Sequence, residues 1–186
     1  DGHGKIDLRS EYNFGQSVNA AKRDMGTADN AAATDYTTQA LTAFIAGRKL
    51  IIDNVGAALS DAQLETLKGH ATDGLDAWER AIVATVVHYI NDVTADLAPL
   101  ATGGNSADFD YDDLAKHYSE MKGFALGLQF SEYAGISDAD FEMLHDLMDV
   151  EPELTGDVDG YITDLGKARD ILQASYDLDA DNVANW

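Results

Sequence analysis

Apolar residues recur at three- and four-residue spacing along most of this chain, and no convincing alternating run would pleat into a strand, which restricts it to an all-α fold. From Thr34 the residues Leu41, Phe44, Ile45, Ile51, Ile52 and Val55 fall on one helical face, and Gly56 supplies a stop. Ser60 followed by Asp61 reads as an N-cap leading a short turn. Trp78, Ile82, Val86, Tyr89 and Val93 then mark a long helix that Pro99 ends. A glycine-rich acidic loop over 102–110 precedes a helix from about Tyr111 to Phe130, with Leu114, His117, Met121, Phe124 and Leu128 on its inward face. Asp138 opens a shorter helix bearing Phe141, Leu144, His145 and Met148. After Pro152 and Gly156 a last helix runs from about Tyr161 through Leu165, Ala168 and Leu172 to Tyr176. Residues 1–33 read as an irregular polar lead-in with one short helix around Val18 to Met25, and residues 34–186 as a single helical bundle domain. Long helices joined by loops predict an up-and-down bundle, in which a site is built from side chains facing the interior.

Charge limits the partners. Lys and Arg total 12 against 34 Asp and Glu, a formal charge of -22, which opposes binding to nucleic acid or to an anionic membrane surface. The main reading of these carboxylates is a solvated surface suited to salty surroundings. With no cysteine, the chain has no disulfide, zinc-thiolate site or thiol nucleophile. No apolar run approaches the ~20 residues that span a bilayer. The start at Asp1, without Met or signal sequence, predicts a mature, trimmed or truncated product.

Polar groups on apolar helix faces are the informative ones, because burying them costs several kcal/mol unless they are paired or ligated. His117 lies within the Leu114/Met121/Phe124/Leu128 stripe, with Asp113 one turn before it and Glu120 three residues after it. A His-x-x-Glu spacing points imidazole and carboxylate in nearly the same direction, as in metal sites of helical bundles. Taken alone, the pattern reads by default as a core histidine satisfied by a neighbouring hydroxyl or carbonyl. Glu142 and His145 form a Glu-x-x-His pair on the next helix, able to complete a two-His, two-carboxylate cluster. Arg48, between Ile45 and Ile52, either reaches water along its stem or makes a buried ion pair with a carboxylate such as Glu120 or Asp113. We take the ion pair as the expectation. Gly123 and Gly127 flank Glu120 and each costs about 1 kcal/mol relative to Ala in a helix, which predicts close helix approach there.

Two acidic runs resemble calcium loops only in part. Around Asp157, Asp159 and Gly160, position one would be Thr155 and position twelve Gly166; Asp177, Asp179 and Asp181 lack the glycine and the distal Glu. Both read as solvated acidic turns. No His-Glu-x-x-His, phosphate-cradling glycine loop or Gly-x-Ser-x-Gly occurs, so no catalytic residue is assigned.

The segment from Leu114 to Phe130, with its string His117-Tyr-Ser-Glu-Met-Lys-Gly-Phe124, resembles a bacterial family of domains of unknown function related to imelysin. Ala43 to Ile52 with its Gly-Arg pair, Trp78-Glu through His88-Tyr-Ile-Asn91, and Ala174 to Trp186 extend the resemblance to nearly the whole chain. The resemblance implies an imelysin-like fold and a bacterial envelope location, periplasmic or outer-surface, with a lipid anchor on an N-terminal part not included here. It also implies that the chain is the C-terminal half of a longer protein, with the N-terminal half of the same precursor as its partner. Imelysins are associated with iron uptake and carry a Gly-x-His-x-x-Glu motif proposed to bind metal. Here Ala115 replaces the Gly, while His117 and Glu120 remain.

Three functions follow as expectations. The first is an envelope metal-binding protein without catalytic activity, holding iron, zinc or copper through His117 and Glu120, with Asp113, His88, Glu142 or His145 supplying further ligands according to how the helices dock, because imidazole with carboxylate suits these metals better than calcium. The second is a metallopeptidase in which a carboxylate activates metal-bound water. The third is a structural or interaction module whose interior polar residues fix helix register.

Overall fold

The computed structural model describes residues 15–131 and 133–186. Over these residues the chain is all-helical, with α1 (Gly15–Gly26), α2 (Tyr36–Asp53), α3 (Asp61–Leu97), α4 (Tyr111–Gly127), α5 (Asp138–Met148), α6 (Val158–Ser175) and α7 (Ala180–Asn185), and no strand. Residues 1–14 of the expected lead-in lie outside the described residues.

Ser60 caps α3 in both directions. Its hydroxyl accepts from the Gln63 backbone N–H while the Gln63 side chain accepts from the Ser60 N–H, a reciprocal capping box. The cap does not lead into a separate turn, as the sequence suggested, but opens one continuous helix of 37 residues, about 55 Å long at 1.5 Å per residue. Its two halves have different surroundings, which is why the apolar pattern is strong only in the second. From Ala77 to Leu97 the helix is the centre of the bundle, with Ala81, Val83, Ala84, Val86, Val87, Ile90 and Val93 almost fully buried. Helices α1, α4, α6 and α7 pack around it, and α5 packs on α6. Leu114, Met121 and Leu128 of α4, Leu144 and Met148 of α5, and Leu165 and Leu172 of α6 complete the core.

The first half of α3 instead pairs with α2 as a helical hairpin. Their contact runs through small residues. Ala43 and Gly47 are buried on α2, and a Cβ added at Gly74 of α3 would meet the Phe44 ring at 3.3 Å. The large apolar residues of α2 therefore face outward, with Phe44 50% and Ile52 55% exposed, and Val55, just past the end of the helix, is 79% exposed. Arg48 belongs to that outward face. It is exposed on the rim of a groove between α2 and α3 and forms no ion pair among the described residues, so the expected buried pair is replaced by a guanidinium in water.

The described part of the lead-in is built into the bundle. Thr27 is fully buried and its hydroxyl bonds that of Thr34 at 2.9 Å. The buried Asn182 of α7 donates to the Ala32 carbonyl at 2.7 Å and accepts from Asn30 at 2.8 Å. Trp186, also buried, donates its indole N–H to the Arg23 carbonyl at 3.3 Å. The last residues thus hold the first described helix against α3. The acidic turns do the same kind of local work: Asp157 and Asp179 cap α6 and α7, and Asp159 accepts from Thr102, consistent with solvated turns in place of calcium loops.

Candidate functional site

Helices α3 and α4 pack side by side, and the polar groups they share gather around His117. Its Nδ1 lies 2.7 Å from Asp96 Oδ2. A carboxylate can only accept, so Nδ1 carries the proton and Nε2 is left as the outward-looking nitrogen. Nε2 lies 3.9 Å from Asp92 Oδ2, the same oxygen that sits 3.2 Å from His88 Nε2. His88, Asp92 and Asp96 stand at successive i, i+4 positions of α3, so one helix face supplies all three. Each of these side chains is partly buried.

Tyr89 joins the cluster from the same helix. Its ring stacks on Phe124 at 5.9 Å between centroids and lies 6.0 Å from the His117 ring. Burial first, and then the neighbouring Glu120 carboxylate, push its hydroxyl pKa up to about 12. Glu120 Oε2 is buried without a hydrogen-bond partner among the described residues. His88 is held below the usual histidine range, first by burial and then by the nearby Arg23 guanidinium, against the opposing charge of Asp92. Burial thus favours its neutral imidazole over the charged one.

The structure thus gathers His117 with His88, which sequence reasoning had named as a possible additional ligand, and with Asp92 and Asp96, which it had not. The signal that finds the carboxylates is the i, i+4, i+8 row on α3, partly hidden because Tyr89 and Val93 make the helix read as plain core. Glu142 is exposed, and His145 meets Lys122 at 3.5 Å and the Phe141 ring at 4.5 Å. The expected cluster of two His-Glu pairs is therefore not assembled, because α5 turns His145 toward the Lys122 side of α4. Asp113 is exposed on the first turn of α4. Close helix approach at Gly123 and Gly127 is likewise absent: a Cβ at either would meet nothing within 4 Å.

Imidazole and carboxylate are the ligand types that borderline metals such as zinc, iron or copper take. Among the described residues, however, no three His, Asp or Glu side chains stand close enough together to hold a metal ion. Compared with protein-family models, curated proteins and solved structures, the chain matches none.

Proposed function

We propose that this chain is a non-catalytic metal-binding protein of the imelysin-like group, acting in the bacterial envelope, with the metal held between α3 and α4. The observation that carries the reading is the Asp96–His117 bond. It fixes the imidazole tautomer and turns Nε2 toward Asp92 and His88, the way a carboxylate behind a ligating histidine commonly orients it. His117, His88 and Asp92 would supply the ligands, and Glu120, three residues from His117 and with an unsatisfied Oε2, is the further carboxylate available. Binding would draw these groups inward from their present spacing. The His-Glu-x-x-His helix motif of zinc peptidases does not occur in the sequence, which favours storage or transfer of the ion over peptide cleavage.

The test is metal titration of protein purified without metal affinity steps. Zinc, ferrous and cupric ions are each followed by calorimetry and by thermal unfolding, since an ion bound only by the folded chain raises its stability by mass action. Near-unit stoichiometry that disappears in both His117→Ala and His88→Ala is expected. One specific observation favours a second reading: Asp96 and Asp92 already partner the two imidazoles, as they would in a module whose polar groups only fix the register of α3 against α4. Binding that survives both substitutions, or no binding at all, selects that module.

A further inference from the structure

We propose that two copies of this chain pair through the α2–α3 hairpin, their outward α2 stripes closing a four-helix bundle across a two-fold axis. The stripe formed by Leu41, Phe44, Ile45, Ile51, Ile52 and Val55 repeats at three- and four-residue intervals over the helix and its C-terminal end, the pattern of a buried seam. Each of these side chains is 47–79% exposed. Leu64 and Leu75, 41% and 39% exposed, extend the apolar surface on α3. Together they present roughly 700 Å², above the 300–600 Å² patch typical of a monomer and close to the ~800 Å² each partner gives to a standard specific interface. A groove of about 310 Å³ runs between the helices, with Ala43, Gly47 and Ala71 among its lining residues and Phe44 and Ile52 beside them. Ridges of large side chains next to a valley of small ones, on one surface, are what a self-complementary two-fold contact requires.

Charge selects the occupant. Residues 36–77 carry three basic and five acidic side chains, whereas the other 144 residues carry nine basic and twenty-nine acidic ones. Two chains of charge -22 repel each other over most of their surface, and the nearly neutral hairpin is where a second copy approaches at least cost. A basic partner, drawn to the carboxylates, would be drawn elsewhere. Arg48 sits within the stripe, and a polar residue at such a seam position fixes register while its long stem lets the charge reach the rim.

Sedimentation of the 186-residue chain across micromolar concentrations tests the proposal. A monomer–dimer equilibrium is expected, and Ile45→Asp and Ile52→Asp should each weaken it by roughly 100-fold or more, as a central interface residue does. Both positions are exposed in the single chain, so circular dichroism should show unchanged helix content. Because the chain has no cysteine, a spin label on Val55→Cys is unique, and a dipolar coupling between two copies is expected. A monomer at every concentration overturns the proposal and leaves the stripe to another protein or to lipid. A dimer that both substitutions leave intact overturns it equally, by placing the contact on another face.

Discussion

The Tyr176 hydroxyl donates to Glu79 Oε1 at 2.6 Å, joining the end of α6 to the middle of α3 across 97 positions of sequence. Glu79 is only 8% exposed and also accepts from the Gly135 backbone N–H at 2.8 Å, while Arg80 donates to the Tyr176 carbonyl at 2.6 Å. Burial and the adjacent Glu79 charge drive the Tyr176 pKa far up, so the phenol stays a donor throughout the accessible pH range. This knot fixes the α4–α5 loop and α6 to the central helix.

Removing the hydroxyl leaves a buried carboxylate short of a donor, which costs about 1.5–3 kcal/mol for a bond to a charged group. Tyr176→Phe should therefore lower the melting temperature by roughly 4–10 °C. Gly135→Ala attacks the same knot from the other side, because its Cβ would stand 2.7 Å from the Tyr176 ring. Thermal melts followed by circular dichroism check both; an unchanged Tyr176→Phe melt would show that the Gly135 amide alone satisfies Glu79.

Arg48→Met should leave the stability of the isolated chain within about 0.5 kcal/mol of wild type, the range of exposed substitutions. A buried pair would cost about 3–5 kcal/mol on losing one member. Urea unfolding at a concentration low enough to keep the chain monomeric separates the two cases.

The fate of Arg48 shows what the sequence can and cannot reveal. Helical spacing located α2, α4, α5 and α6 to within a few residues, because period reports which side chains share a face. It does not report which neighbour covers that face. The α2 stripe reads like core, yet the buried face of α2 is the one with Ala43 and Gly47, where small side chains let α3 come close. The short α7 is not legible in the sequence, because a six-residue helix with one buried valine has no periodic signal to read. At the site, His117 stood out as a polar residue in an apolar stripe, and His88 was available as a candidate ligand. Asp92 and Asp96 did not stand out, since an acidic chain offers many carboxylates and only the docking of α3 on α4 distinguishes these two.

Stability should depend on pH through His145. Burial first, and the Lys122 ammonium second, hold its pKa below the ordinary value, against weaker opposing effects of the Ala125 backbone and Asp146. The folded chain therefore favours neutral imidazole. Its contribution is complete above the unfolded-state value near 6.5 and is lost as pH falls from there toward the depressed folded value. His145→Gln removes the titration. The wild type should accordingly lose more unfolding free energy than His145→Gln between pH 7.5 and pH 5, measured by urea denaturation at fixed salt. Equal losses would mean that the imidazole is as easily protonated in the fold as out of it.

Asp96 offers the sharpest separation between metal binding and register-setting. Asp96→Asn keeps an oxygen that accepts from His117 Nδ1 but removes the negative charge that makes the imidazole a stronger donor at Nε2. If His117 ligates metal, losing the charge behind it should weaken binding by about 10–100-fold while the ring stays in place. Stability without metal should fall modestly under either reading, because a charge-assisted bond is replaced by a neutral one about half as strong. If the pair serves only to set α3 against α4, that loss of unfolding free energy stands alone, with no change in any metal titration. Calorimetric titration and urea unfolding of the same variant read both quantities, and a loss of stability with metal affinity untouched would remove His117 from the site.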